Sequence, residues 1–333
     1  MRVAVIGSGA VGGAIAAMLA RAGHDVEVTA RGDNLDAIRE GGIRLTGAWG
    51  DYTAMVLANE LMTRGAELVI VATKAQDAPA AIAANSRMLR GVPVVVIQNG
   101  LEGMATARKA SPRSDIVGGL ATFATSYLTP GEICVTTAGP TYLGVAAGVS
   151  DVPARYAAKI LAEVMPTTVV ANFVGAQWTK LVINQVNALP AITGLSVQAV
   201  IKNPQLRRIM TASMRENVRV AGTSGVRFEK LQGLSRRGLR LFSHLPLWLG
   251  QLLPMLMSAR VGATPNPGST LQSIRRGQPT EIDYLNGAVV NAAKALGRTA
   301  PINAALTAMV HDVESSGVFL SPAQVVERSQ QPS

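Results

Sequence analysis

Residues 2–12 constrain the fold of this chain more than any other stretch. Arg2-Val3-Ala4-Val5-Ile6 is a short apolar run stopped by Gly7, the pattern of a strand buried on both faces. Gly7-Ser8-Gly9-Ala10-Val11-Gly12 follows directly, and Val11 to Ala22 carries small and apolar residues at helical spacing until Gly23 closes the helix. A strand, a glycine turn and a helix in that order make a dinucleotide-binding signature rather than an ordinary loop. Gly7 permits the tight turn, Gly9 lets a pyrophosphate approach the backbone, and Gly12 lets the helix pack close to the strand. The helix N-terminus adds amide donors and a positive dipole. All six residues, Gly7, Ser8, Gly9, Ala10, Val11 and Gly12, are therefore expected to bind a cofactor.

The next segments repeat the alternation. Asp25–Thr29, Glu67–Ala72 and Pro93–Ile97 read as further strands, with helical patterns between them. That predicts an α/β domain with a doubly wound parallel sheet. From Asp115 to Val145, short β-rich stretches separated by Pro130-Gly131 and Gly139-Pro140 predict a β-hairpin extension of the same sheet. A helix over 154–165 and a strand over 167–170 should close the domain near residue 171.

Three residues lie where strands of such a sheet end, the edge at which open α/β sheets bind ligands. A site for unphosphorylated dinucleotide carries Asp or Glu at the end of the second strand; this chain has Arg31 there. A guanidinium pairs with a 2′-phosphate, which a carboxylate would repel. The reading is NADP, with Asp33 in the loop after Gly32. Lys74 follows the third strand and Asn99 the fourth, so both are candidate ligand contacts.

Composition excludes several other classes. Hydrophobic residues make up 48% and charged residues 16%, enough for a sizeable core and against wholesale disorder. The net charge is +10, but the basic residues are spread out and no aromatic-interleaved basic motif accompanies them, so no nucleic-acid partner is expected. Cys134 is the sole cysteine and His24, His244 and His311 are scattered, which argues against a disulfide framework or a zinc site. The N-terminus lacks a signal-peptide pattern, so a cytoplasmic enzyme is the default.

After Asn172 strand signals nearly vanish, and the second domain, 172–333, should be all-α. Breaks are expected near Gly194, Gly225, Pro246, Gly262–Gly268 and Gly297, and fraying from Arg328 to Ser333. The stretch Leu245–Met257 is apolar but carries two prolines and a glutamine. It is shorter than the ~20 residues of a membrane span, so no stable insertion is expected. It reads as a packed surface helix or dimer contact, or else as a membrane-surface or partner-docking element flanked by Arg236, Arg237, Arg240 and Arg260.

Together the glycine turn, Arg31, Thr73-Lys74-Ala75 and Gln98-Asn99-Gly100 resemble the ketopantoate reductase (2-dehydropantoate 2-reductase) family. The likeness extends to Trp178-Thr179-Lys180-Leu181-Val182-Ile183-Asn184, continuing to Asn187-Ala188-Leu189. It also takes in Ser269-Thr270-Leu271-Gln272 and Gly277-Gln278-Pro279-Thr280-Glu281-Ile282-Asp283-Tyr284-Leu285-Asn286-Gly287. The resemblance implies a Rossmann-type domain followed by a helical domain of the 6-phosphogluconate-dehydrogenase kind. It also implies NADPH-dependent reduction of a small 2-oxo acid held between domains, and a homodimer formed through the helical half. By the same resemblance Lys180 is the general acid and Glu281 completes its hydrogen-bond network. Asn99, Asn184, Asn187, Asn266 and Ser269, with Lys180, contact the substrate. The chemistry agrees: hydride addition to a ketone leaves an alkoxide, which a nearby ammonium stabilises and protonates.

The chain departs from the family pattern on the substrate side. The gap from Asn184 to Asn187 is one residue short, although on a continuous helix both would stay on the lysine face. Ser273 replaces an aspartate, and Val197 stands near the place of a further asparagine. A different branched 2-oxo acid as substrate is the alternative these departures leave open, and a non-catalytic NADP(H)-binding sensor docking through Leu245–Met257 is another.

Overall fold

Residues 1–261 and 265–330 are described by the computed structural model. The expected break at Gly262, the side chain of Arg260 and the last three positions of the expected frayed end lie outside the described residues. The chain divides into two compact units, Met1–Phe173 and Val174–Ser333.

The first unit is built on β1 (Arg2–Ile6), α1 (Ala10–Arg21), β2 (Asp25–Thr29), α2 (Gly32–Gly41), β3 (Ile43–Gly47), β4 (Tyr52–Ala54), β5 (Leu57–Asn59) and β6 (Leu68–Val71). It continues through α3 (Ala78–Ala84), β7 (Pro93–Ile97), α4 (Gly103–Ala110), β8 (Asp115–Ala121), β9 (Ala124–Thr129), β10 (Glu132–Thr137), β11 (Thr141–Gly144), α5 (Val152–Leu161) and β12 (Thr167–Val169). The main sheet runs in the order β12-β11-β8-β7-β6-β1-β2-β5. β1 pairs in parallel with β2 on one side and β6 on the other. The strand order therefore reverses at β1, the switch point at which such sheets bind ligands. Val3 and Val5 enter a core with Ala14 and Ile15 of α1, while Ala4 and Ile6 enter another with Val69, Val71 and Ile82. Alternate residues of β1 thus feed both faces of the sheet, which explains its unbroken apolar run.

Three expectations fail in this unit. Residues 124–137 do not extend the main sheet. β9 and β10 form an antiparallel pair that joins β3 and β4 in a second sheet, ordered β4-β3-β10-β9; only β8 and β11 of the 115–145 region stay in the main one. The link is the parallel pairing of β10 with β3, whose partners are far apart in sequence. Local turn signals carry no information about such a pairing. The short strands β3, β4 and β5 also occupy a region that sequence pattern assigned to helix. In addition, Asp33 lies in the first turn of α2 and not in a loop.

The second unit is helical: α6 (Phe173–Asn184), α7 (Ala188–Thr193), α8 (Val197–Lys202), α9 (Pro204–Thr223), α10 (Arg236–His244), α11 (Leu247–Gly250), α12 (Leu252–Val261), α13 (Gly268–Arg275), α14 (Asn286–Ala295), α15 (Pro301–Ser316) and α16 (Pro322–Gln330), with a 3₁₀ turn at Ile282–Tyr284. The long helix α9 shows why the local sequence starts where it does. Asn203 accepts hydrogen bonds from the amides of Gln205 (3.0 Å) and Leu206 (3.2 Å), and Pro204 occupies the first position, where no amide is needed. Helix α7 ends on Gly194 at φ +71°, as the sequence predicts. The apolar stretch 245–257 is not one helix: it divides into α11 and the start of α12.

Candidate functional site

Each unit carries a group of residues with chemistry. In the first, the turn after β1 is closed and open in the right places. Gly7 has φ +93°, and a Cβ there would lie 2.7 Å from the Thr73 side chain. A Cβ on Gly12 would run into the carbonyl oxygen of Gly7 and stand 3.0 Å from the Ala72 side chain. A Cβ on Gly9 would meet nothing within 4 Å. Gly9 is also the N-cap of α1 and has no side chain to cap its first-turn amides. Two glycines are therefore required by packing, and the third faces open space above a helix N-terminus, which suits a close-approaching phosphate.

Ser8 does not present its side chain to that space. It is 2% exposed, its hydroxyl donates to the Thr29 carbonyl (3.1 Å), and it accepts from Asn34 (3.1 Å). Its backbone is engaged as well, the amide donating to the Thr29 carbonyl (3.1 Å) and the carbonyl accepting from Asn34 (3.2 Å), so Ser8 shapes the turn. Asn34 is a residue sequence reasoning missed. Its amide donates to the Ser8 carbonyl and hydroxyl, and its oxygen accepts from the Tyr127 hydroxyl (3.0 Å) and the Gly131 amide (2.9 Å). One side chain thus ties the glycine turn to the β9–β10 hairpin. The only available signal was an Asn in the first turn of a helix, which is too common to read.

Arg31 is the N-cap of α2 and is exposed, with Asp33 exposed in the same first turn. Lys74 and Asn99, both half-buried, follow β6 and β7. Those strands and β1 run parallel, so their carboxyl ends share one edge. Gln98 stitches the edge together by donating to the Thr73 carbonyl at 3.1 Å. The structure therefore brings Gly7–Gly12, Arg31, Lys74 and Asn99 to a common rim.

In the second unit α6 carries Lys180 and Asn184 one turn apart, Lys180 half-buried and Asn184 buried. Burial pulls the Lys180 ammonium down to about 8, opposed by the attraction of the Glu281 carboxylate. Glu281 stands at the entry to the 3₁₀ turn, where its carbonyl accepts from the amides of Tyr284 (2.9 Å) and Leu285 (3.1 Å). A clamp from α15 holds that turn: Glu314 accepts from the Thr280 amide at 2.6 Å, and His311 lies 2.7 Å from Glu314 and 3.0 Å from Asp283. Desolvation of His311 acts against its cation, but the hydrogen bonds to Asp283 and Glu314 outweigh it and raise its pKa.

The remaining predicted contacts are differently placed. Helix α6 stops at Asn184, and Asn187 is the N-cap of α7, its amide donating to the Asn184 carbonyl at 3.0 Å. The helical argument for Asn187 on the lysine face does not hold; its side chain instead borders Gly268 at the start of α13. Asn266 is used in a turn: its side chain accepts from the Gly268 amide (2.8 Å), and its own amide donates to Gln198 (2.9 Å). Ser269 lies in the first turn of α13, exposed. Ser273, in place of the family aspartate, is buried and donates to the Ser269 carbonyl at 3.4 Å.

Beneath α6 lies a buried polar cluster that sequence pattern did not reveal. Gln185 accepts from Ser213 (2.7 Å) and Asn286 (2.7 Å), and Asn303 accepts from both as well, at 2.9 Å each. Glu216 accepts from the amides of Ile302 and Asn303, both at 2.9 Å. The cluster ties the end of α6 to α9, α14 and α15 through these hydrogen bonds, while the Asn286 Oδ1 is buried without a partner.

Comparison with known proteins agrees with the fold. The family described as ketopantoate reductase PanE/ApbA matches residues 3–148, and its C-terminal counterpart matches residues 172–314. The 2-dehydropantoate 2-reductase of Pyrococcus horikoshii is 26% identical over 319 residues, covering 95% of this chain and 99% of the relative. That of Halobacterium salinarum is 28% identical over 325 residues, covering 95% and 100%. A crystal structure of a PanE/ApbA family ketopantoate reductase from Ralstonia eutropha superposes with a TM-score of 0.78 at 30% identity, covering 95% of this chain and 99% of that one. A ternary structure of D-mandelate dehydrogenase with NADH and anilino(oxo)acetate shares the fold, with a TM-score of 0.81 at 20% identity over 95% of this chain and 99% of that one. With two family matches spanning most of its length, the chain belongs to the ketopantoate reductase family of oxidoreductases.

Proposed function

We propose that the protein reduces 2-dehydropantoate to pantoate with NADPH, with Lys180 as the proton donor. The observation that carries this reading is the state of Lys180: a lysine on α6 whose pKa is held near 8 by burial and whose charge is supported by Glu281. A surface lysine has no use for such tuning, whereas a general acid works best with a pKa close to the working pH.

A dinucleotide suits the first unit because Gly9 opens onto the amides of α1 while Gly7 and Gly12 admit no side chain. Bound there, it supplies the hydride. Arg31 and the N-terminus of α2 offer a cation and amide donors for a 2′-phosphate. Lys74 and Asn99 on the same rim contact the cofactor, and Asn99 also the substrate. In the second unit Lys180 delivers its proton to the carbonyl oxygen as the alkoxide forms, and Glu281 stabilises the ammonium beforehand. Asn184, one turn on, orients the 2-oxo acid, and the exposed Ser269 hydroxyl at the start of α13 suits a carboxylate. The test is a panel of 2-oxo acids assayed with NADPH and with NADH. 2-Dehydropantoate with NADPH should give the highest kcat/KM, and failure to turn over any 2-oxo acid would remove the catalytic reading.

A second reading of the substrate rests on Asn266 and Ser273. The first is committed to its own turn and the second replaces an acid. A different branched 2-oxo acid would then win the panel. For the cofactor, Asp33 in the first turn of α2 favours NADH, because its carboxylate would repel a 2′-phosphate.

A further inference from the structure

Helices α10 to α12 leave an apolar face without cover. Trp248 is 69% exposed, Leu252 53% and Leu256 64%. They recur every four residues across Gln251, which keeps helical dihedrals between α11 and α12, so they form one stripe. Single exposed apolar residues are ordinary, but a stripe of this kind marks an interaction surface. Immediately before it, α10 turns Leu239 and Phe242 inward and leaves Arg236, Arg237 and Arg240 exposed. Only Leu245 and Pro246 separate α10 from α11, and α10, α11 and α12 all pack on α9.

The helices that form this face carry charge of one sign. From Lys230 to Thr280 the chain has no Asp or Glu and seven Lys or Arg. The supporting helices α8 and α9 contribute one acid, Glu216, whose carboxylate is occupied by the amides of Ile302 and Asn303. They also present Lys202 and Arg208 exposed. A face that is apolar, carries a tryptophan and lies on helices with arginines and no Asp or Glu of their own matches an anionic lipid interface. The apolar groups enter the acyl boundary, the indole sits at headgroup depth, and the arginines meet phosphate. A second copy fits poorly, because an isologous contact through this face would bring two sets of arginines together and α10–α12 supply no acid to pair with them. Among the described residues no helix is long and apolar enough to cross a membrane, so the contact would be peripheral.

We propose that α10–α12 dock the protein on the surface of an anionic bilayer, with Trp248, Leu252 and Leu256 as the inserted stripe and Arg236, Arg237 and Arg240 as its phosphate contacts.

Sedimentation of the full chain with vesicles tests this. The protein should pellet with mixed phosphatidylglycerol–phosphatidylcholine vesicles, stay in solution with phosphatidylcholine alone, and be released by salt. Replacing Arg236, Arg237 and Arg240 with Ala together should lower partitioning on the order of a hundredfold, at roughly fivefold per arginine. Tryptophan fluorescence should shift to the blue on binding, and the shift should vanish in Trp248→Phe. The double variant Trp248→Ser/Leu252→Ser, at exposed positions, should keep its thermal midpoint and lose the vesicles. No binding to phosphatidylglycerol vesicles overturns the proposal, as does binding that neither variant weakens. So does a concentration-dependent dimer that Leu252→Asp dissociates in a protein that ignores vesicles, which would assign the face to self-association.

Discussion

Glu281 holds charge on Lys180 against burial: desolvation lowers the ammonium to about 8, and the carboxylate keeps it from falling further. The two residues come from separate elements, α6 and the turn before α14, so their partnership is a product of how the helical unit packs.

It follows that the rate should lose its proton donor on the alkaline side. The expected kcat/KM profile falls as pH rises through about 8, because a general acid must be protonated to act. In Glu281→Gln the attraction is gone, the cation is less favoured, and the fall should move to lower pH. A profile whose alkaline limb stays in place in that variant would separate Glu281 from Lys180.

Lys180→Ala should lower turnover at least about a hundredfold, the usual contribution of a positioned acid. Cofactor affinity, measured by fluorescence titration, should stay within about twofold, since the proposed cofactor contacts are in the other unit. Near-normal turnover would end the proposed role of the lysine.

The two glycines of the turn should respond oppositely to the same change. Gly9→Ala adds a methyl that meets nothing, so the thermal midpoint should hold while cofactor affinity falls by at least about tenfold. Gly12→Ala drives a Cβ onto the Gly7 carbonyl, and the urea midpoint should report a loss of roughly 1–3 kcal/mol. Equal effects on stability would show that Gly9 serves packing rather than a ligand.

Cofactor choice turns on α2. Arg31→Asp should shift the ratio of kcat/KM for NADPH over NADH toward NADH, as the 2′-phosphate loses its cation and gains a repelling charge. If the ratio in the parent already favours NADH, Asp33 is the deciding group. In that case Asp33→Asn should weaken NADH and not NADPH.

The His311 clamp makes a prediction about stability and pH. Its pKa is raised in the folded state, so its contribution is fully present below the unfolded value near 6.5 and is lost as pH rises through the higher folded value. Denaturation midpoints of the parent and of His311→Gln should therefore differ at pH ~6 and converge at pH ~9. The difference should be small, no more than about 1 kcal/mol, because His311 is exposed to solvent.

The sequence by itself determined what depends on neighbours along the chain. The buried strand and glycine turn were legible at residues 2–12 because each residue has a local backbone or packing reason to be there. The one-turn spacing of Lys180 and Asn184 was legible because a helix fixes it. What required long-range pairing was not. β10 leaves the main sheet for β3, and Asn34 joins the glycine turn to that hairpin. Asn187 falls beyond the end of α6, so a spacing rule that assumed one continuous helix misplaced it. Gln185, Ser213, Asn286 and Asn303 are polar residues that a pattern would send to the surface; they are buried because the turn after α6 and three helices offer them one another. For the stretch 245–257 the sequence left a packed helix, a dimer contact and a docking element open, and only the packing of α10–α12 on α9 decides that residues such as Trp248 face outward.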